Sequence, residues 1–166
     1  MKIGKYGLRD HLRLLAPLFG FITGIWALRM ILDFADSPAW IIHITSVTTA
    51  TSVAVLLAVL LIHLRRFGGY TNVVVTALFL NIWAQVLIVA AIVFAAATHT
   101  RNVYTAPEYS IPGSTEDHWR HIHGHLTFGI GTGTLVGAAF GCLLLAILRA
   151  LLPAQPAGSK REAGIR

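Results

Sequence analysis

HWRHIHGHLTFGIGTGTLVGAAFG, residues 118 to 141, sets four histidines within eight residues at the head of a segment apolar enough for a lipid bilayer. The same stretch surrenders side chains at six glycines, Gly124, Gly129, Gly131, Gly133, Gly137 and Gly141. Continued to Leu148, it is the last of four apolar runs, after Leu14 to Leu32, Trp40 to Leu64 and Val73 to Ala97. Each is close to or above the roughly 20 residues that carry a helix across about 30 Å of hydrocarbon. Only 12% of the 166 residues are charged and 55% are hydrophobic, whereas soluble domains carry about a quarter charged residues. The expected fold is an all-α integral membrane protein, a four-transmembrane-helix bundle. Residues 1–152 are expected to form the single transmembrane domain, with spans at about 14–32, 40–64, 73–97 and 121–150, and residues 153–166 are expected to form a disordered basic tail. The first run lacks a small-residue cleavage site and carries Arg29 and Asp33 at its end, so it reads as a span rather than a signal peptide.

Four spans put both termini on one side. Ten basic residues then share that side: Lys2, Lys5, Arg9, Arg13, Arg65, Arg66, Arg149, Lys160, Arg161 and Arg166. Arg29, Arg101 and Arg120 lie opposite. The positive-inside rule places both termini in the cytoplasm, in a bacterial inner membrane. The net charge of +6 is thereby read as topology and contact with the bilayer's anionic lipid, not as a nucleic-acid surface. The lone Cys142 lies mid-span, which excludes an intrachain disulfide.

Under this topology six of the eight histidines, His43, His99, His118, His121, His123 and His125, collect at the face opposite the termini. His11 and His63 belong to the other face. PGSTED, residues 112–117, is a helix start, with Ser114 or Thr115 as N-cap and Glu116 and Asp117 in the first turn. From there His118, His121 and His125 fall at i, i+3 and i+7 on one face, and His123 points away. His121 and His125 have the four-residue spacing that lets two imidazoles chelate one metal. Steps of four from His125 reach Gly129, Gly133, Gly137 and Gly141, a small-residue ridge for close helix approach. The ridge is expected to pack against another helix of the bundle, to dock other membrane subunits or a second copy, or to admit the edge of a flat cofactor.

Two cofactor classes suit this pattern. A transition metal, copper or zinc, would draw on His43, His99, His118, His121 and His125. Haem b would need two facing nitrogens, with His43 opposite His121 or His125 as the pair and Arg29 against a propionate or a quinone carbonyl. Asn81 and Gln85, four apart within the third span, are expected to bond across helices. The connection from Thr98 to Ser114, with Tyr104, Tyr109, Pro107 and Pro112, is expected to fold over the cluster.

RHIHGHLTFGIG, residues 120–131, resembles helix openings in the catalytic subunits of haem–copper oxidases and nitric oxide reductases. There a haem-ligating histidine precedes an apolar, glycine-rich span. The resemblance implies a haem ligand among His121, His123 and His125, although those subunits have many more spans. Metalloprotease H-E-x-x-H, serine-nucleophile and phosphate-loop motifs are missing from the sequence, so catalysis by this chain alone is not expected. The expected function is membrane-embedded haem or metal binding, for electron transfer or as a small subunit of a respiratory-type complex. The alternative is a cofactor-free assembly subunit that uses the glycine ridge. A pH sensor or proton-coupled carrier is disfavoured by the scarcity of ionisable residues at mid-span.

Overall fold

A computed structural model describes residues 2–3, 5–107 and 117–152. Apart from a two-residue antiparallel pair, β1 (Lys2–Ile3) with β2 (Tyr6–Gly7), the chain is helical. The helices are α1 (Leu8–Phe34), α2 (Ala39–Ile44), α3 (Val47–Leu64), α4 (Tyr70–Thr98), α5 (His118–Gly124) and α6 (Ile130–Leu151). A π-helical turn, His125–Gly129, joins α5 to α6 without a break. Four stretches are long and apolar enough to cross a membrane: Leu8–Phe34, Ala39–Leu64, Tyr70–Thr98 and His118–Leu151. The basic tail from residue 153 lies outside the described residues.

The helices do not pack as a square. α3 and α4 touch each other, α1 packs on both, and α6 packs on both from the other side. α1 and α6 are thus the outer corners, and the α3–α4 pair runs through the middle. Small residues permit this. Ala54, Ala58, Ala77, Ala84 and Ala91 are all almost fully buried along α3 and α4. α6 is covered on one stripe only, through Gly141 and Leu145, and exposes Leu135, Phe140 and Leu143.

The second apolar run is not one helix. It breaks at Thr45 and Ser46, where the Thr45 hydroxyl donates to Ile41 O at 3.0 Å and Ser46 becomes the N-cap of α3. The sequence ITSVTT supplies the reason, because clustered Ser and Thr side chains offer the backbone alternatives to a continuous helix. The fourth run also starts differently from expectation. Asp117, not Ser114 or Thr115, is the N-cap of α5, accepting from the N–H groups of Trp119 and Arg120. Ser114, Thr115 and Glu116 lie outside the described residues.

The end that holds the termini is tied by polar contacts across four elements. His11, fully buried, donates from Nδ1 to Gly7 O at 2.9 Å, which leaves Nε2 to accept from Asn72 Nδ2 at 3.1 Å. The Asn72 carbonyl oxygen caps α4 by accepting from Gly69 N. Tyr6 stacks on Phe67 and donates to Arg66 O, while Arg149 donates to Gly68 O. His11, assigned by the sequence only to the face of the termini, is the peg between α1 and α4. Gly68 has φ +77° and a Cβ there would strike the Asn72 carbonyl oxygen. Gly68→Ala is therefore expected to cost about 1–3 kcal/mol, measured as a lowered unfolding midpoint. An unchanged midpoint would refute that account of the turn.

Candidate functional site

The opposite end of the bundle carries the sequence-expected site residues, and they separate into two groups. The first belongs to α5, the π turn and α4. His121 and His125 approach with their Nε2 atoms 3.1 Å apart. His125 Nδ1 lies 2.7 Å from Gln85 Oε1 on α4. An amide oxygen only accepts, so Nδ1 carries the proton and His125 Nε2 presents a lone pair. That lone pair either accepts from His121 Nε2–H or, with His121 in the other tautomer, two lone pairs face the same point.

Gln85 reaches His125 because of a glycine. A Cβ at Gly129 would sit 2.8 Å from Gln85 Cδ and Oε1, so only glycine lets the amide lie flat against the helix backbone. The next step of the ridge works the same way, since a Cβ at Gly133 would strike Asn81 Oδ1, and Asn81 itself donates to Ala77 O at 2.9 Å. Gly137 faces Ala77 and Val55, and Gly141 faces Val73 and Val59. The ridge thus packs inside the chain, against α4 and α3, as one of its readings expected. Asn81 and Gln85 do sit between helices as expected, although of the two only Gln85 bonds across.

The π turn keeps this alignment. In a straight α-helix a ridge of every fourth residue winds by about 40° per step, and from His121 to Gly141 it would leave the face of α4. One wider turn at His125–Gly129 resets the register, a feature that recurs at functional sites. Periodicity alone gave no signal for it.

His123, His99 and His43 stand apart, and His118 lies one turn before His121 on α5. His123 is exposed, as its position opposite His121 implied, and His118 is half-buried at the start of α5. His99 is exposed at the end of α4 in a left-handed conformation, φ 51°. His43 is exposed on α2, a helix that packs on α1, whereas His121 and His125 pack toward α4. Among the described residues no three His, Cys, Asp or Glu converge to hold a metal ion. The structure therefore brings together His121 and His125 out of the larger expected set.

The second group surrounds Arg29 on α1. Its guanidinium lies over the ring of Tyr104, 5.2 Å from the centroid. Tyr104 belongs to a turn that folds down onto the bundle. Asn102 Nδ2 donates to Ala91 O on α4, and Val103 N donates to Asp33 Oδ2 on α1 at 2.7 Å. Val103, Tyr104 and Ala106 are buried as a result. The connection was expected to fold over the histidine cluster, and its described part packs instead on α1 and α4 beside Arg29; residues 108–116 lie outside the described residues. Burial pushes the Tyr104 phenol up to about 12, with the nearby Arg29 charge acting in the opposite direction. Trp26 Nε1, Arg29 Nε and Tyr104 Oη are all shielded from solvent without a hydrogen-bond partner. Leaving such groups unmade costs about 1–3 kcal/mol each. One turn further out, a polar cleft of about 420 Å³ is lined by Asp33, Asp36, Ser37, Arg101 and Asn102, with Ile42 at its wall.

Sequence reasoning had singled out Arg29 but not Trp26, and had named Tyr104 only as part of a lid. Their grouping depends on how the turn 102–105 folds back, which no local pattern encodes. Comparison of the chain with protein-family models, with curated proteins and with solved structures finds no match.

Proposed function

We propose that this is a multi-pass membrane protein that binds a transition-metal ion, copper or zinc, through His121 and His125. The site would lie toward the periplasmic face of a bacterial inner membrane, with both termini in the cytoplasm as the ten-to-three distribution of basic residues suggests. The observation that carries the reading is the pair of Nε2 atoms 3.1 Å apart, with His125 held in one tautomer by Gln85. Two nitrogens bound at about 2.0–2.1 Å to one tetrahedral ion stand close to this separation. A hydrogen bond from the far ring nitrogen is the usual support for a metal-binding histidine.

The two imidazoles leave other coordination positions open, for a water, a substrate or a residue of a partner subunit. Such an open nitrogen site favours Cu(II) over Zn(II) in affinity and suits electron transfer or a small subunit of a respiratory-type complex. Haem b fits this pair less well. Two axial nitrogens must lie on opposite sides of the iron, about 4 Å apart, whereas His121 and His125 project from one helix toward one point. One of them could serve as a single axial ligand, with the second from elsewhere.

Titration of the purified, metal-free chain with Cu(II), followed by electron paramagnetic resonance, tests the proposal. One equivalent bound per chain, with hyperfine coupling to two imidazole nitrogens, is the expected result. Absence of stoichiometric copper or zinc binding would leave the cofactor-free assembly role as the better reading. That role would then have to rest on the exposed face of α6, because the glycine ridge is already occupied.

A further inference from the structure

His11 lies at the end of the bundle that holds the termini, away from the His121–His125 pair, and both of its ring nitrogens are committed. Nδ1 faces Gly7 O at 2.9 Å, and a carbonyl oxygen only accepts, so Nδ1 carries the proton. Nε2 then turns a lone pair to Asn72 Nδ2 at 3.1 Å. The amide is not free to offer its oxygen instead. Asn72 Oδ1 accepts from Gly69 N at 3.2 Å, and a reversed amide would set its own NH2 group against that N–H. The ring is 0% exposed, so solvent does not reach Nε2. A second proton on His11 therefore has no acceptor while the ring stays docked.

The groups packed around the ring do not supply that acceptor. On the N-terminal side, Asp10 is the one carboxylate described at this end, and its Oδ2 accepts from Gly7 N at 2.8 Å. Arg9 and Arg13 on α1 and Arg65 and Arg66 after α3 are exposed cations, and His63 at the end of α3 is half-buried. From α6, Arg149 donates to Gly68 O and lies over the Tyr70 ring. The faces nearest the imidazole are the rings of Phe67 and Phe79, with centroids at 5.0 and 6.4 Å. The ring in turn fastens the start of the chain. Gly7 is bonded to Nδ1, and Tyr6 beside it stacks on Phe67 at 3.9 Å and donates to Arg66 O. We propose that His11 is a proton-operated latch. Neutral, it holds the Tyr6–Gly7 turn and the start of α1 on α4 and on residues 65–69; a second proton expels the ring from Asn72 and releases that turn. The docked form binds one proton fewer than the released form. Docking is therefore strongest at high pH, and it weakens by up to about tenfold per pH unit as pH falls. The relevant range is about pH 8 to 5, where imidazoles change charge. The latch shares no residue with the His121–His125 pair, so its outcome is independent of metal binding.

Hydrogen–deuterium exchange of the full chain in detergent micelles tests the latch. The readout is the protection factor of residues 6–14 from pH 8 to pH 5, which removes the intrinsic pH dependence of exchange and reports local opening. The wild type is expected to lose about tenfold or more of its protection across that range. His11→Gln has no ring to protonate and should give a level profile. Asn72→Asp reverses the sign. It keeps one oxygen on the Gly69 N–H and sets the other where the NH2 group stood, ready to accept from a doubly protonated ring. Its protection should therefore rise as pH falls. Asn72→Asp also decides the matter if His11→Gln fails to fold. A level profile in the wild type, a slope retained in His11→Gln, or the wild-type fall repeated in Asn72→Asp overturns the proposal.

Discussion

Gly141→Leu is expected to lower the stability of the bundle by about 3 kcal/mol or more, and Gly131→Leu is expected to leave it nearly unchanged. The two glycines lie ten residues apart on the same helix, yet a Cβ at Gly131 meets nothing within 4 Å. At Gly141 it would lie 2.8 Å from Val73 Cγ1 and 3.1 Å from Val59 Cγ2. Both valines are fully buried, and β-branched side chains are stiff at χ1, so neither can yield. The leucine would instead push α6 off α3 and α4 together. In a bilayer little else holds a helix in place, because lipid tails are as apolar as the displaced face and close packing carries the association. Gly133 and Gly129 are more forgiving, since their neighbours are the tips of Asn81 and Gln85. Reversible unfolding of each variant in mixed micelles measures the difference. Equal stability of the Gly141 and Gly131 variants would mean that α6 does not pack by this ridge.

His125→Ala is expected to abolish copper binding, with an affinity loss above a hundredfold, because it removes one of two protein ligands and unmoors Gln85. Gln85→Leu is the more discriminating variant. It retains both imidazoles but removes the acceptor of His125 Nδ1, and loss of such a partner lowers metal affinity about 10–100-fold. His123→Ala alters an exposed ring on the other side of the helix and should bind like the wild type. Competitive titration against a chelator of known affinity reads all three. If Gln85→Leu and His123→Ala both bind with wild-type affinity, the hydrogen bond has no role in the site. If His125→Ala binds normally as well, the ion is held elsewhere. The glycine and histidine variants are also separable. Gly141→Leu should loosen the far end of α6 while leaving the His121–His125 pair, which is set by α5 and Gln85, with its ligands in reach.

Spans and site were legible in the sequence to different degrees, for physical reasons that particular residues show. The four apolar stretches could be read to within about three residues at most ends, the start of the first excepted, where the helix begins at Leu8 rather than near residue 14, because the bilayer imposes a length and a composition on each. The i, i+4 pairing of His121 and His125 was legible for the same kind of reason, as neighbours on a helix face need no tertiary information. The break at Thr45–Ser46 was missed, although ITSVTT carried a signal for it in its crowded hydroxyls. His43 looked like a partner across the bundle only while residues 40–64 were taken as one helix. His11, placed by the sequence only on the N-terminal segment, is the most deeply buried imidazole, at 0% exposure. Its position became clear only when Asn72 was seen beside it.

By itself, then, the sequence determined the four apolar spans and the neighbours that share a helix face, since hydropathy and helical periodicity are local properties. Only the tertiary structure decided which faces meet. The glycine ridge turned inward on α4 and α3 rather than outward to a partner, because Asn81, Gln85 and two valines fill the space that the missing side chains leave. Gln85 became the partner of His125 through the same close approach. The fold-back of residues 102–105 set Tyr104 beneath Arg29, joining donors about 75 residues apart in sequence. Contacts of that separation depend on the order in which helices pack, and no window of the chain contains it.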